Sequence, residues 1–215
     1  MYIKKVKMII TIDGPAGAGK GTVAKELANK LRFIHIDTGL YYRALAFQAM
    51  QLHYDAQHPE LLYGLMDDLC MKNMTITLLK TEDVANMASK IAVYPTIREG
   101  ITKKIRKDVA DALKKSSVIV DGRDVGTVIF PSALCKLFIT ASPKERAKRR
   151  AMELGGDEEV RFHDLTKRDE RDQSRKIAPL TPAHDALVID TTNLTIDEAC
   201  RNASSYVKEF LSRNG

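Results

Sequence analysis

The sequence predicts an α/β fold, a parallel five-stranded sheet flanked by helices, on three observations. Short β-branched apolar runs alternate with amphipathic helical stretches along the chain. The first of these runs, Met8 to Ile12, passes through Asp13 directly into Gly14-Pro15-Ala16-Gly17-Ala18-Gly19-Lys20-Gly21-Thr22. No run of about 18 apolar residues interrupts the pattern, so no membrane-spanning helix is expected.

Each element follows from its own pattern. Met8–Asp13 reads as a strand buried on both faces. Lys20 to Leu31 reads as a helix with Val23, Leu27 and Leu31 on one face. Phe33–Ile36 is a second strand, and Thr38–Gln51 a helix with Thr38 as its cap. The stretch His53 to Thr81 breaks the alternation with a helix over Pro59–Leu69 and a β-like run over Met74–Leu79, and reads as a small insertion beside the core. Lys103, Lys104, Arg106, Lys107, Lys114 and Lys115 mark the solvated face of a helix. Ser117–Asp121, Cys135–Thr140 and Ala186–Asp190 complete the five strands, and a last helix runs from about Ile196 to Leu211 behind Thr195 as its cap. At 215 residues the chain suits one domain with insertions, here about 53–84 and 146–165.

Composition narrows the class. The net charge of +6 invites a nucleic-acid partner. Where the charges sit argues against one, because the arginines between Arg146 and Arg175 are interleaved with acids such as Glu153, Asp157, Glu158, Asp164, Asp169 and Glu170. Cys70, Cys135 and Cys200 are widely spaced, odd in number and outside any metal spacing, as expected of buried thiols in a reducing cytosol. His35, His53, His58, His163 and His184 form no ligand motif and read as surface or core fillers. The start of the chain lacks the apolar stretch of a signal peptide, and a cytoplasmic location is expected.

The chemistry is carried by phosphate-binding patterns. Gly-x4-Gly-Lys arises by accident in about 5% of chains this long, but the strand before it and the helix after it make Gly14–Thr22 a phosphate cradle. Its backbone N–H groups would face a polyphosphate, and Lys20 would add a point charge over the β/γ-phosphates at the positive end of a helix. Position 21 is Gly where a Ser or Thr would place a hydroxyl on Mg²⁺, so the ion would be held through nucleotide phosphates, water and another carboxylate. Asp121, at the carboxyl end of its strand, is the candidate for that carboxylate, through a water. Arg123 and Asp124 follow in the same Gly-flanked turn. Arg168, Asp172 and Arg175 lie at spacings of four and three on one helical face, and with Arg146, Arg149 and Arg150 they offer the forked donors that phosphoryl transfer needs. In Asp37-Thr38-Gly39-Leu-Tyr41-Tyr42-Arg43, Arg43 points toward the phosphates, and the two tyrosines read as core packing rather than base-stacking platforms.

Taken together, residues 10–22, Asp37–Arg43, Val84-Ala-Asn-Met-Ala-Ser89, Asp121-Gly-Arg-Asp-Val-Gly-Thr-Val-Ile-Phe-Pro131 and Arg168–Leu180 resemble the bacterial cytidylate kinases, a family of nucleoside monophosphate kinases, over nearly the whole chain. The resemblance implies a core sheet, a monophosphate-binding insertion at about 53–84 and a mobile lid at about 146–165. It implies ATP–Mg²⁺ as phosphoryl donor and CMP or dCMP as acceptor, and a monomer. Gly14 to Thr22, with Arg149 of the lid, would hold ATP. Thr38, Arg43, Ser89, Arg98, Arg123, Asp124, Arg168, Asp172 and Arg175 would hold CMP, with Ser89, Arg98 and Asp124 on the base. Lys20, Arg123, Arg168 and Arg175 would be catalytic. The insertion and the lid are both shorter than is usual in the family. Two other classes fit part of the pattern: a UMP/CMP or other small-metabolite kinase, and a nucleotide-binding regulator that acts through RNA.

Overall fold

The computed structural model describes residues 7–66, 69 and 74–214. Its five strands are β1 (Ile9–Asp13), β2 (Ile34–Asp37), β3 (Val118–Gly122), β4 (Cys135–Thr140) and β5 (Leu187–Asp190). They form one sheet in the order β2-β3-β1-β4-β5, every neighbouring pair parallel. The chain leaves β1 toward the β2 edge and returns past it between β3 and β4. A crevice therefore opens at the carboxyl ends of β1 and β3, where ligands bind in folds of this type.

Two apolar layers cover the sheet. Helix α1 (Lys20–Leu31) buries Val23, Ala24, Leu27 and Ala28, and packs with α9 (Ile196–Asn214) against Ile10, Ile12, Ile119, Leu137 and Ile139. On the other face α2 (Thr38–Gln51), α5 (Glu82–Ile91) and α6 (Pro95–Leu113) close over Val118 and Val120. Alternation along β3 then puts Ile119 and Asp121 on the α1 face. The same rule puts His35 and Asp37 of β2 on that face, because Ile34 and Ile36 pack into the opposite layer.

The described residues of the insertion are helical rather than mixed, with 67, 68 and 70–73 outside the described residues. A helix predicted over Pro59–Leu69 covers Pro59–Gly64 as α3, and the β-like run Met74–Leu79 is instead a single turn, α4 (Ile76–Leu79). Among the described residues no strand pairs with it; Leu79 of that turn is buried, while Ile76 and Leu78 stay exposed. Cys70 lies outside the described residues; Cys135 and Cys200 are buried free thiols, as expected. Past β4, α7 (Pro143–Leu154) and α8 (Glu158–Gln173) form a helical hairpin through Gly155 and Gly156, both at positive φ. Among the described residues no helix is long and apolar enough to cross a membrane.

Candidate active site

The loop after β1 is a backbone cradle whose first glycine leaves no room for a side chain. Gly14 has φ +152°, and a Cβ there would collide with the Ile139 carbonyl oxygen of β4. Two side chains brace the loop from outside: the Arg146 Nη1 donates to the Ala16 carbonyl (3.2 Å) and the Thr191 hydroxyl to the Ala18 carbonyl (3.2 Å). Arg146 is buried, and its other nitrogens bond the Ala141 carbonyl (3.0 Å) and Asp169 (2.6 Å). Gly19, at φ +85°, leads into α1, whose free N–H groups point at the cradle.

Lys20 sits where two clefts meet. The larger, of about 640 Å³, runs from the cradle past Arg149, Arg150 and Ile196. The smaller, of about 110 Å³, is lined by Thr38, Tyr42, Ser89, Arg98, Asp124 and Asp172 among others. Lys20, Asp37, Arg43, Arg123 and Arg168 line both. Burial, with Arg123 nearby, pushes the Lys20 ammonium down to about 7 against the opposing pull of Asp121 and Asp37. Burial, then Arg123, pushes the Arg168 guanidinium down to about 9. The junction is thus crowded with cations and calls for anions.

The smaller cleft is built from paired charges. Arg98 of α6 donates to Asp124 Oδ2 (2.5 Å) with both side chains only 6% exposed, and its other fork bonds the Ala92 carbonyl (3.1 Å). Tyr42 lies beneath the guanidinium, 5.7 Å from ring centre to carbon. Asp172 bridges Arg123 Nε (3.1 Å) and Arg175, and although burial opposes it, Arg123, Arg175 and Arg168 hold its carboxyl below the usual range. Asp13, buried at the end of β1, accepts from the backbone N–H of Val125 (2.9 Å) and of Gly126 (2.7 Å). It thereby fixes the wide helical turn Val125–Ile129 that follows Asp124, while burial pushes its own carboxyl up to about 7.

Most expected residues converge here, with three differences. Asp37 caps α2 by accepting from Gly39 N–H (2.8 Å), and Thr38 instead donates to the Asp121 carbonyl (2.9 Å), because its place on the first turn faces β3. Arg175 stands beyond the end of α8 rather than on its face and reaches Asp172 from the following turn. Arg146 is a brace for the cradle rather than a free phosphate ligand. Arg149 borders the larger cleft, with its nitrogens on Thr191 and Glu145. Arg43 donates to the Leu79 carbonyl (3.0 Å) and so ties the insertion to α2.

The sequence reading gave no role to Asp13, which borders the cradle motif, or to Thr191, and it read His35 as a surface or core filler. The alternation of β2 was the available signal for His35, since it places that residue on the face of Asp37. Tyr42 is buried as core packing and also lines the smaller cleft. Around that cleft the Ser89 hydroxyl, the Tyr42 hydroxyl, Arg168 Nε and Arg175 Nε are buried with no protein partner. Buried polar atoms at a cleft wall, unpaired by the protein, are positioned for a ligand.

Among solved structures the fold is similar to a gluconokinase from Sinorhizobium meliloti (TM-score 0.52, 14% identity, 97% of this chain and 95% of that one). It is also similar to a shikimate kinase from Bacteroides thetaiotaomicron (TM-score 0.51, 15% identity, 95% and 98%). In sequence the chain is 39% identical to the cytidylate kinase of Pectobacterium carotovorum, over 95% of this chain and 97% of that protein. It is 38% identical to that of Salmonella choleraesuis, over 95% and 96%. The family model "Cytidylate kinase" matches residues 10–209, and the chain belongs to the cytidylate kinase family.

Proposed function

We propose that this kinase transfers the γ-phosphoryl group of ATP to the 5′-phosphate of CMP or dCMP, giving ADP and CDP or dCDP. The observation that carries the reading is the pair of clefts meeting at Lys20, Arg43, Arg123 and Arg168. A triphosphate lying in the cradle and a monophosphate in the smaller cleft would bring donor and acceptor phosphates together among those four cations. The attacking oxygen is already anionic, so no general base is needed. Catalysis is then alignment plus neutralisation of charge spread over the phosphoryl oxygens. Lys20 and Arg123 follow the transferred group, and Arg43, Arg168 and Arg175 hold the acceptor phosphate.

Base choice rests on Asp124, Arg98 and Ser89. The 4-amino group of cytosine can donate to the Asp124 carboxylate, whereas uracil would face it with a carbonyl oxygen. A mismatch of this kind costs about 1–3 kcal/mol, or roughly tenfold to over a hundredfold in preference. In this reading the lid lies at about 146–165, within the hairpin α7–α8, and the acceptor-binding insertion at about 53–84; closure between them would exclude water, the competing acceptor.

Mg²⁺ suits the residues present. Asp37 and Asp121 stand in register on neighbouring strands, and burial together with the Asp121 charge raises the Asp37 carboxyl. Two hard oxygen donors that repel each other fit an oxygen-seeking cation. Asp121, through water, and Asp37 would hold the ion, which when bound supplies charge neutralisation on the phosphates.

The test is ADP formation from ATP–Mg²⁺ with CMP, dCMP, UMP, AMP and GMP in parallel, with Lys20→Ala as the blank. Turnover on CMP and dCMP that disappears in the blank is the expected result. Dominant turnover on another monophosphate would overturn the base assignment while keeping the transfer chemistry. Inactivity with all five would overturn the reading itself.

A further inference from the structure

We infer that His35 is a positioning residue that fixes the Asp121 carboxylate for the metal–nucleotide complex, an inference that rests on the assignment of Asp121 given above. The register of the sheet carries it. On the α1 face His35 stands opposite Ile119 and Asp37 opposite Asp121, so the His35 ring lies one step back along β2 and reaches Asp121 diagonally. Its Nε2 meets Asp121 Oδ1 at 2.7 Å, with the Asp121 side chain 2% exposed and the His35 side chain 24% exposed.

That contact selects which oxygen faces the phosphates. With Oδ1 engaged by His35, Oδ2 is the oxygen directed at the start of α1: a Cβ built on Gly21 would stand 3.8 Å from it. Gly21 is the position that lacks a hydroxyl, so in this chain a carboxylate oxygen faces the space a metal-binding side chain would otherwise fill. A carboxylate left to rotate beside Asp37 would turn away from its like charge. The imidazole N–H holds it in place, in the manner of outer partners that orient metal-binding carboxylates. The Thr38 hydroxyl secures the backbone of the same residue through the Asp121 carbonyl (2.9 Å), so main chain and side chain of Asp121 are pinned separately.

A merely structural histidine predicts something different. Removing it would weaken folding and bind nucleotide less well whether or not metal is present. The positioning role predicts a loss only in the affinity gained from the metal. ATP binding is therefore measured by calorimetry with Mg²⁺ and with EDTA for the intact protein, His35→Leu, His35→Gln and Asp121→Asn. Gln places an amide N–H at a reach comparable to Nε2, whereas Leu keeps bulk and loses the donor.

The expected result is a three- to tenfold smaller Mg²⁺-dependent gain in His35→Leu, unchanged binding in EDTA, and return of most of the gain in His35→Gln. An equal loss with and without Mg²⁺ would overturn the inference in favour of simple packing. A full gain in His35→Leu, with the gain lost in Asp121→Asn, would overturn it while leaving Asp121 in its role. A full gain in Asp121→Asn would overturn the Asp121 assignment itself and the inference with it.

Discussion

Arg98 and Asp124 form a buried pair at the wall of the smaller cleft, where recognition of the base is proposed. Each is almost wholly buried, so cutting either leaves an uncompensated charge, and losing a partner of such a pair costs about 3–5 kcal/mol. Asp124→Ala would therefore unfold as much as it informs. Asp124→Asn keeps the volume and is expected to cut the CMP/UMP ratio of kcat/KM at least tenfold while lowering Tm, and an unchanged ratio would remove Asp124 from base reading. Lys20 makes a pH-dependent case. In the free protein its ammonium sits at about 7, and an adjacent polyphosphate must raise it. A group whose bound value exceeds its free value takes up a proton on binding, so the lysine's share of ATP affinity is full below about pH 7 and declines as pH rises above it. Calorimetry at pH 8 in buffers of different ionisation heat should register that uptake, and Lys20→Ala should abolish it. The cradle and the arginines were legible in sequence because each stands in a dense local motif. The roles of Asp13, Thr191 and His35 were not, although Asp13 borders the cradle, because each acts on a segment far away in the chain that only the fold brings close.

The elements most easily read were those whose apolar period was satisfied within the element itself. Helices α1 and α2 begin and end where the pattern places them, and each strand begins and ends within a residue of expectation. The run Met74–Leu79 misled because its alternation is also compatible with a single helical turn that buries one residue. The hairpin α7–α8 was read only in part, from the spacing of Arg168 to Arg175, because many of its contacts are ion pairs and charge patterns specify a helix poorly. One contact there joins α8 to α5. Arg161 of α8 donates to Glu82 of α5 (2.5 Å) and, through Nε and Nη2, to the Gly155 carbonyl (3.2 and 3.0 Å). A partly exposed pair of this kind contributes no more than about 1 kcal/mol. Its leverage is geometric, because α5 carries Ser89 and α8 carries Arg168 and Asp172. Arg161→Ala should raise KM for both nucleotides about threefold, an estimate in line with the loss of one such pair. It should also speed hydrogen exchange in residues 82–89 and 155–161 together. Faster exchange in one segment alone would show that they are not joined.

Across the whole molecule, charge is gathered where the sheet opens. The smaller cleft is lined by Lys20, Arg43, Arg98, Arg123, Arg168 and Arg175 against Asp37, Asp124 and Asp172, within a chain of net charge +6. Such a cleft draws anionic substrates by a field that salt screens, so kcat/KM should fall as NaCl rises from about 50 to 500 mM, a range over which the screening length shortens severalfold. A flat salt profile would place recognition entirely at short range. Three carboxylates stand against six cationic side chains there, so the pairing leaves positive charge in excess. Any tetrahedral dianion in solution can neutralise the same excess. Sulfate or inorganic phosphate should therefore protect the protein against heat while competing with its substrates. The buffer in which the enzyme keeps longest on the shelf would then be the one in which it works least.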